Sequence, residues 1–156
     1  MRPFSLLAIA FAVFIFLGVQ ARAELKEENG WLTTTSPHPV ADTKDRLIAA
    51  IDKAGATLFA VVDHAAGARK VGLDLEPTVL VIFGNPKMGT PIMQQKRMAA
   101  HDLPVRVLIW REDGRTHLAA LAPSTFTARH GVPSETKSLG MMKKALENLL
   151  DAATSP

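Results

Sequence analysis

The sequence predicts an α+β fold: a single domain with a mixed, mostly antiparallel sheet of about five strands and helices packed mainly on one face. Short runs rich in apolar and β-branched residues indicate the strands. Other segments carry apolar residues at helical spacing and indicate helices. The two kinds of segment follow each other in mixed order, which favours α+β over a regularly alternating parallel sheet. A chain of 156 residues is long enough for one such core.

The first residues have the pattern of an export signal. Arg2 provides a positive charge, the run from Phe4 to Val19 is uncharged and mostly apolar, and Ala21-Arg22-Ala23 fits a small-x-small cleavage motif. The pattern predicts a signal peptide at residues 1–23, cleaved from a domain at residues 24–156 that is periplasmic or secreted. The alternative is an uncleaved membrane anchor, for which the apolar run is short against the roughly 20 residues of a full span.

Composition excludes several classes of function. The chain has no cysteine, which excludes disulfides, thiol nucleophiles, thiolate metal sites and a lipid anchor on cysteine. Without Arg2 and Arg22, the 18 basic residues fall to 16, against 15 acidic residues. A nearly neutral domain argues against a nucleic-acid partner. After cleavage of the signal we expect no membrane association.

The first half of the domain contains two expected strands and two expected helices. Residues 30–35 (GWLTTT) form the first strand, and an amphipathic helix follows as far as about Ala54, stopped by Gly55. This strand, the helix and the next strand are compatible with a parallel crossover. The run at residues 57–62 (TLFAVV) is expected as a buried strand, and residues 65–71 as a short helix.

The middle of the domain is expected to hold a strand, a helix and a hairpin. Residues 78–83 (TVLVIF) are a third apolar strand. A helix is expected from Pro91 to about Ala100, because Thr90 is a good N-cap and proline suits the first helical position. Asp113-Gly114, between two further apolar runs, predicts a β-hairpin.

The last part of the domain is expected to be helical. Residues 124–130 form a short helix that ends at Gly131, and a long amphipathic helix follows Pro133, with Ser134 as a candidate N-cap. Gly140 lies inside this helix and costs about 1 kcal/mol relative to alanine. Close packing against a neighbouring element would explain why glycine is tolerated there.

The segment FGNPKMGTP at residues 83–91 is the main candidate for a site. It lacks the GxxxxGK[ST] pattern of a nucleotide-binding loop. A helix N-terminus beside Lys87 would nonetheless favour a small anionic ligand. The candidate ligand-binding residues are His64, Asn85, Lys87, Gly89 and Thr90. The alternative interpretation of the segment is a rigid structural turn.

Three functions are therefore open. The first is a small-ligand or anion binding or sensing module. The second is a structural or interaction domain with no small-molecule site. The third is a small acid-base enzyme that uses His64 with Asn85 or Lys87. Because the histidines have none of the usual metal-ligand spacings and no cofactor motif is present, we expect neither a metal nor a cofactor.

Three segments resemble one protein family over nearly the whole domain. They are HAAGARKVGLDLEPTVLVIFGNPKMGTPIMQ (64–94), HDLPVRVLIWRED (101–113) and ARHG (128–131). These segments resemble the domain-of-unknown-function 302 family. The resemblance implies a small bacterial α+β domain, a homodimer and no agreed activity. Many relatives carry an Asn-Asp-Pro-like stretch after the hairpin, whereas LAPST (121–125) keeps only Pro123.

Overall fold

The protein is described by a computed structural model that covers residues 24–156, so the expected signal peptide lies outside the described residues. The strands are β1 (Lys26–Glu28), β2 (Trp31–Ser36), β3 (Thr57–Asp63), β4 (Thr78–Gly84), β5 (Val105–Glu112) and β6 (Arg115–Leu121). The helices are α1 (Val40–Lys53), α2 (His64–Lys70), α3 (Pro86–Gln95), α4 (Ser124–His130) and α5 (Lys137–Thr154), with a 3-10 helix at Arg97–Asp102. The expected α+β class is confirmed. Within residues 24–156, none of the helices has the length and apolar character needed to cross a bilayer.

The sheet has six strands in the order β1-β2-β6-β5-β4-β3, and every hydrogen-bonded pair is antiparallel. The count exceeds the expected five because Lys26–Glu28, where no strand was expected, pairs with β2. The turn between them is Asn29-Gly30, and both residues have positive φ, as a tight hairpin of this kind requires. The same chemistry at Asp113 and Gly114 closes the predicted β5–β6 hairpin.

Helix α1 carries the chain across the sheet. Four successive antiparallel pairs separate β2 from β3, so these two strands run in the same direction, as the expected crossover requires. However, β6, β5 and β4 lie between them, so β2 and β3 are not neighbours. The middle of the sheet is therefore filled by later parts of the chain.

Helices α1 and α5 pack against each other and against one face of the sheet. Val81 and Val107 are completely buried on this face, while the next residues along these strands, Ile82 and Leu108, are half-buried on the other face. The apolar stripe predicted on the C-terminal helix is confirmed in the core. Its members are Leu139, Met142, Leu146, Leu149, Leu150 and Ala153.

Strand β3 is at the edge of the sheet, and its expected burial is wrong. All seven residues are exposed, including Phe59 at 57% and Val61 at 41%. The pairing register with β4 shifts between Leu58 and Ala60, so Phe59 is the extra residue of a β-bulge. An apolar run of six residues predicts a strand but does not tell whether another strand covers its second side.

Two details of helix α5 also differ from expectation. The helix begins at Lys137 with Thr136 in the cap position, whereas Ser134 is exposed and hydrogen-bonds to Glu135. Gly140 is exposed, and a Cβ built there would meet nothing within 4 Å. Close packing therefore does not explain this glycine.

Candidate functional site

The segment FGNPKMGTP forms the end of β4 and the first half of α3. Asn85 is extended and is the N-cap of the helix, and its Oδ1 atom accepts a hydrogen bond of 2.9 Å from the amide of Lys87. Pro86 is the first helical residue, where its missing amide hydrogen costs nothing. The helix then runs through Gly89, Thr90 and Pro91 to Gln95.

The expected helix start at Pro91 is therefore wrong by five residues. The segment contains two cap-and-proline pairs, Asn85-Pro86 and Thr90-Pro91, and the chain uses the first. Pro91 lies inside the helix, where it offers no amide hydrogen to the carbonyl oxygen of Lys87. Ile92 is the buried residue of the helix that starts at Pro86.

The N-terminus of α3 has no free amide group left for an anion. Pro86 has no amide hydrogen, and the amide of Lys87 is taken by the Asn85 side chain. The amides of Met88 and Gly89 both donate to the main-chain oxygen of Asn85, at 2.9 and 3.0 Å. The binding of an anion beside Lys87 would thus depend on the charge of the lysine and on the weak field of the helix dipole, without hydrogen bonds from main-chain amides.

The inner side of α3 borders a cavity of about 270 Å³. The cavity lies between α3, the ends of β4 and β5, and helix α5. Its lining residues are Ala54, Ala56, Phe59, Phe83, Gly84, Asn85, Pro86, Met88, Gly89, Met93, Ala100, Leu103, Pro104, Val105, Met142, Ala145, Leu146 and Leu149. The only polar side chain in this set is that of Asn85, so the cavity suits an apolar molecule.

Gly84 and Phe59 shape the edge of this cavity. A Cβ atom added at Gly84 would be 3.3 Å from Cε2 of Phe59 and 3.5 Å from Cβ of Pro104. The first distance is tighter than ordinary packing, so the glycine provides the space that the exposed aromatic ring occupies. At Gly89 an added Cβ would be 3.5 Å from Leu103 Cδ1, which is an ordinary contact.

The five residues proposed from the sequence do not form one site. Asn85 and Gly89 line the cavity, whereas Lys87 and Thr90 are exposed and are not among its lining residues. His64 is also exposed, at the start of α2.

His64 lies at the opposite end of the β3–β4 pair from Asn85. Asp63, the last residue of β3, pairs with Val79, while Thr57, six residues earlier, pairs with Gly84. At about 3.3 Å per residue the two ends are roughly 20 Å apart. The expected convergence of His64 with Asn85 or Lys87 in one cleft is therefore wrong. Asp63 instead caps α2 through a 2.7 Å bond from the amide of Ala66.

A second cluster of polar side chains surrounds Asp102, the last residue of the 3-10 helix. Its carboxylate is 4% exposed. Its Oδ2 atom is 2.7 Å from Nε2 of His130, and Nη1 of Arg129 donates to Oδ1 at 3.2 Å and forms an ion pair with Oδ2 at 3.1 Å. Arg106 Nη2 is 3.6 Å from Oδ1, and His101 Nδ1 is 3.8 Å from it.

The surroundings of Asp102 keep it ionised. Burial alone would raise the pKa of the carboxyl group. The hydrogen bond from His130 and the charge of Arg129 act in the opposite direction and outweigh burial, so the pKa lies below its ordinary value. Asp102 is thus a buried anion that holds side chains from α4 and β5 together.

The sequence interpretation missed this cluster. It placed residue 130 at the end of a helix, and this placement is confirmed, because His130 is the last residue of α4 and Gly131 follows with φ 65. Both residues stand in segments that resemble the family. Because they are 28 positions apart, only the fold brings them together.

Comparison with known proteins finds curated proteins with a similar sequence and a solved structure with a similar fold. A protein named fluoride-specific ion channel FluC 1 from Brucella suis biovar 1 (strain 1330) is 42% identical over 106 residues, 67% of this chain and 42% of that protein. The channel of the same name from Brucella abortus biovar 1 (strain 9-941) shows the same identity over 39% of its length. The chain thus spans about two fifths of the length of these curated relatives.

The fold also has a solved counterpart. A crystal structure of an uncharacterized conserved protein DUF302 from Bacillus stearothermophilus superposes with a TM-score of 0.73 and 18% identity. The match covers 81% of this chain and 99% of the other, and at this identity it supports the fold alone. The family model for the domain of unknown function DUF302 matches residues 32–153. This chain therefore belongs to the DUF302 family.

Proposed function

We propose that this chain is an exported small-ligand-binding domain whose ligand places an apolar body in the cavity beside α3. The observation that carries the proposal is a cavity of about 270 Å³ whose lining contains a single polar side chain, that of Asn85. The pocket is partly open to solvent and has an almost wholly apolar lining, which is typical of a site for a small apolar molecule.

The size of the cavity limits the ligand. An apolar cavity of about 150 Å³ is enough to bind benzene, which suggests a molecule of roughly ten non-hydrogen atoms here. Met88, Met93 and Met142 line the cavity, and methionine side chains adapt to ligands of different shape. Within residues 24–156 the Nδ2 group of Asn85 has no protein acceptor, so it is available to one polar atom of the ligand.

The test uses 1-octanol, a neutral molecule of suitable size. We expect it to bind the protein and to raise the melting temperature, since a ligand that binds only the folded state stabilises it. Ala145 lines the cavity from α5, and Ala145→Phe would fill part of the space. Ala152 lies exposed on the same helix outside the lining, so Ala152→Phe is the matched control.

The two variants give opposite expectations. Calorimetric titration should detect octanol binding to the parent and to Ala152→Phe, and at least tenfold weaker binding to Ala145→Phe. Equal binding to all three proteins would refute the cavity as the site. Native mass spectrometry of the protein as purified would show whether a natural ligand accompanies it.

Fluoride binding, which the names assign to the Brucella channels, is not part of this proposal. A small anion needs cations or several hydrogen-bond donors to replace its water. The cavity lining offers the carboxamide of Asn85, and the charge of Lys87 lies outside it. The anionic ligand expected at Lys87 stays a prediction that depends on the lysine alone.

A homodimer is part of the proposal, and strand β3 supports it. The strand is exposed along its whole length at the edge of the sheet, and Leu58, Phe59, Val61 and Val62 are large exposed apolar residues. Natural edge strands usually carry charges or prolines that prevent pairing, and none precedes Asp63 in β3. A second copy could therefore pair along this edge.

Light scattering after size-exclusion chromatography tests the dimer. We expect the parent to have the mass of a dimer and Val62→Lys to shift toward the monomer, because a charge on an exposed edge strand opposes pairing. Met141→Lys places the same charge at an exposed apolar position on α5 and should remain dimeric. A monomeric parent at tens of micromolar would contradict the dimer without affecting the cavity.

A further inference from the structure

We propose that the face of the sheet opposite α1 and α5 carries a second binding site, which takes an organic carboxylate with an apolar tail. The site is a groove of about 490 Å³ at the end of the sheet where β5 begins and β6 ends. It adjoins the cavity beside α3, since Val105 and Met142 line both, but it differs in chemistry because Arg106, Arg129 and Asp102 line only the groove.

The floor of the groove is apolar. Leu108 and Ala119 are paired neighbours on β5 and β6, and Leu121 pairs with Trp31 on β2. All four side chains line the groove, and Trp31 is 48% exposed. Such a surface can hold an aliphatic or aromatic tail through burial of apolar area.

One end of the groove is positively charged. Arg106 is on β5, two residues before Leu108 on the same face of the strand, and Arg129 approaches from α4. Their side chains are 43% and 51% exposed. Asp102 is the only acidic residue in the lining, so the two arginines leave an excess of positive charge there.

Asp102 positions the arginines without using up their donors. Arg129 donates to it through Nη1, and Arg106 approaches it only to 3.6 Å. A guanidinium has five N–H donors, so each arginine keeps several for a ligand. Two guanidinium groups that converge on one place favour a carboxylate, which accepts paired hydrogen bonds from arginine.

The experiment compares octanoate with 1-octanol, which has the same chain length but no charge. Calorimetric titrations are made on Ala145→Phe, in which the cavity beside α3 is partly filled, and on the parent. We expect octanoate to bind Ala145→Phe as it binds the parent at the groove, and at least ten times more tightly than octanol. Nuclear magnetic resonance titration should place the largest amide shifts at Arg106, Leu108 and Ala119.

Charge removal then tests the two arginines. Arg106→Gln and Arg129→Gln should each weaken octanoate binding at least tenfold, and higher salt should weaken it in the parent because the arginines are partly exposed. Arg115→Gln removes the same charge at the opposite end of β6 and should leave the affinity unchanged. If Arg129→Gln does not fold, Arg106→Gln decides alone, because its side chain makes only the longer contact with Asp102.

The failure of this proposal differs from the failure of the cavity proposal. Unchanged octanoate affinity in folded Arg106→Gln, or loss of octanoate binding in Ala145→Phe, would overturn the groove. Octanol that binds the parent and Ala145→Phe equally would overturn the cavity and leave the groove standing.

Discussion

Replacing Asp102 with asparagine should destabilise the protein by about 2 kcal/mol at neutral pH. The carboxylate is buried and accepts hydrogen bonds from His130 and Arg129. Asparagine has the same shape but offers one acceptor and turns an amide donor toward these donors. Loss of a hydrogen bond to a charged group costs about 1.5 to 3 kcal/mol. The cost falls below the upper end of this range, since Arg106 and Arg129 are half exposed and can be rehydrated.

The difference in unfolding free energy between the parent and Asp102→Asn should become smaller as the pH falls. The pKa of Asp102 is lower in the folded protein than its ordinary value. Its ionisation therefore contributes stability above the pKa of the unfolded chain, which is about 3.9. This contribution is lost as the pH falls through the lower pKa of the folded state. The difference in unfolding free energy should be full at pH 7 and shrink below about pH 4.

Urea unfolding at pH 7 and at several values below pH 4 measures this difference. With a slope of about 2 kcal/mol per molar urea, a loss of 2 kcal/mol lowers the midpoint at pH 7 by about 1 M. Glu27→Gln is the control, because Glu27 forms a 2.7 Å ion pair with Lys143 that is more exposed and is expected to contribute less than 1 kcal/mol. Equal stability of parent and Asp102→Asn at pH 7, or a difference that grows on acidification, would refute the role assigned to the carboxylate.

Four further outcomes are expected. Gly140→Ala should raise the unfolding free energy measured with urea by about 0.5 to 1 kcal/mol, because the site is helical and open. A lower unfolding free energy would mean that the added methyl group clashes with a neighbouring residue. Gly131→Ala should lower it by about 1 kcal/mol, because φ is 65 there. If an anion binds beside Lys87, phosphate should raise the melting temperature of the parent more than that of Lys87→Ala; equal shifts exclude it. Export of the full chain in a bacterial host should yield a periplasmic protein whose intact mass begins at Glu24; an uncleaved mass supports an anchor.

Much of the fold was predictable because local chemistry determined it. The Asp113-Gly114 hairpin, the end of α4 at Gly131 and the apolar stripe of α5 each follow from residues within one element. The short pair β1–β2 has the same kind of turn signal in Asn29-Gly30. It was missed because β1 consists of three charged residues, which lack the apolar alternation of a strand. Edge exposure of β3 could not be predicted, since it depends on which strands form the rest of the sheet.

The candidate site was less predictable because it depends on contacts between distant elements. Residues that line the cavity come from β4, α3, β5 and α5, and only the α3 part was identified in advance. The groove combines Arg106 on β5 with Arg129 on α4 through Asp102. No spacing in the sequence relates these residues, because the chain between them forms the β5–β6 hairpin.

The register of α3 decides which kind of ligand the FGNPKMGTP segment can serve. A helix that began at Pro91 would leave Lys87 in a loop before a helix N-terminus with free amides, which is an arrangement suited to an anion. Because the helix begins at Pro86, the amides of the first turn are already bonded to Asn85, and Lys87 and Thr90 point away from Met88 and Gly89, which face the cavity. The two interpretations are therefore alternatives set by one structural choice. Since Asn85 caps the helix that begins at Pro86, the same residue that takes up the amides of the first turn also places the apolar face of α3 over the cavity.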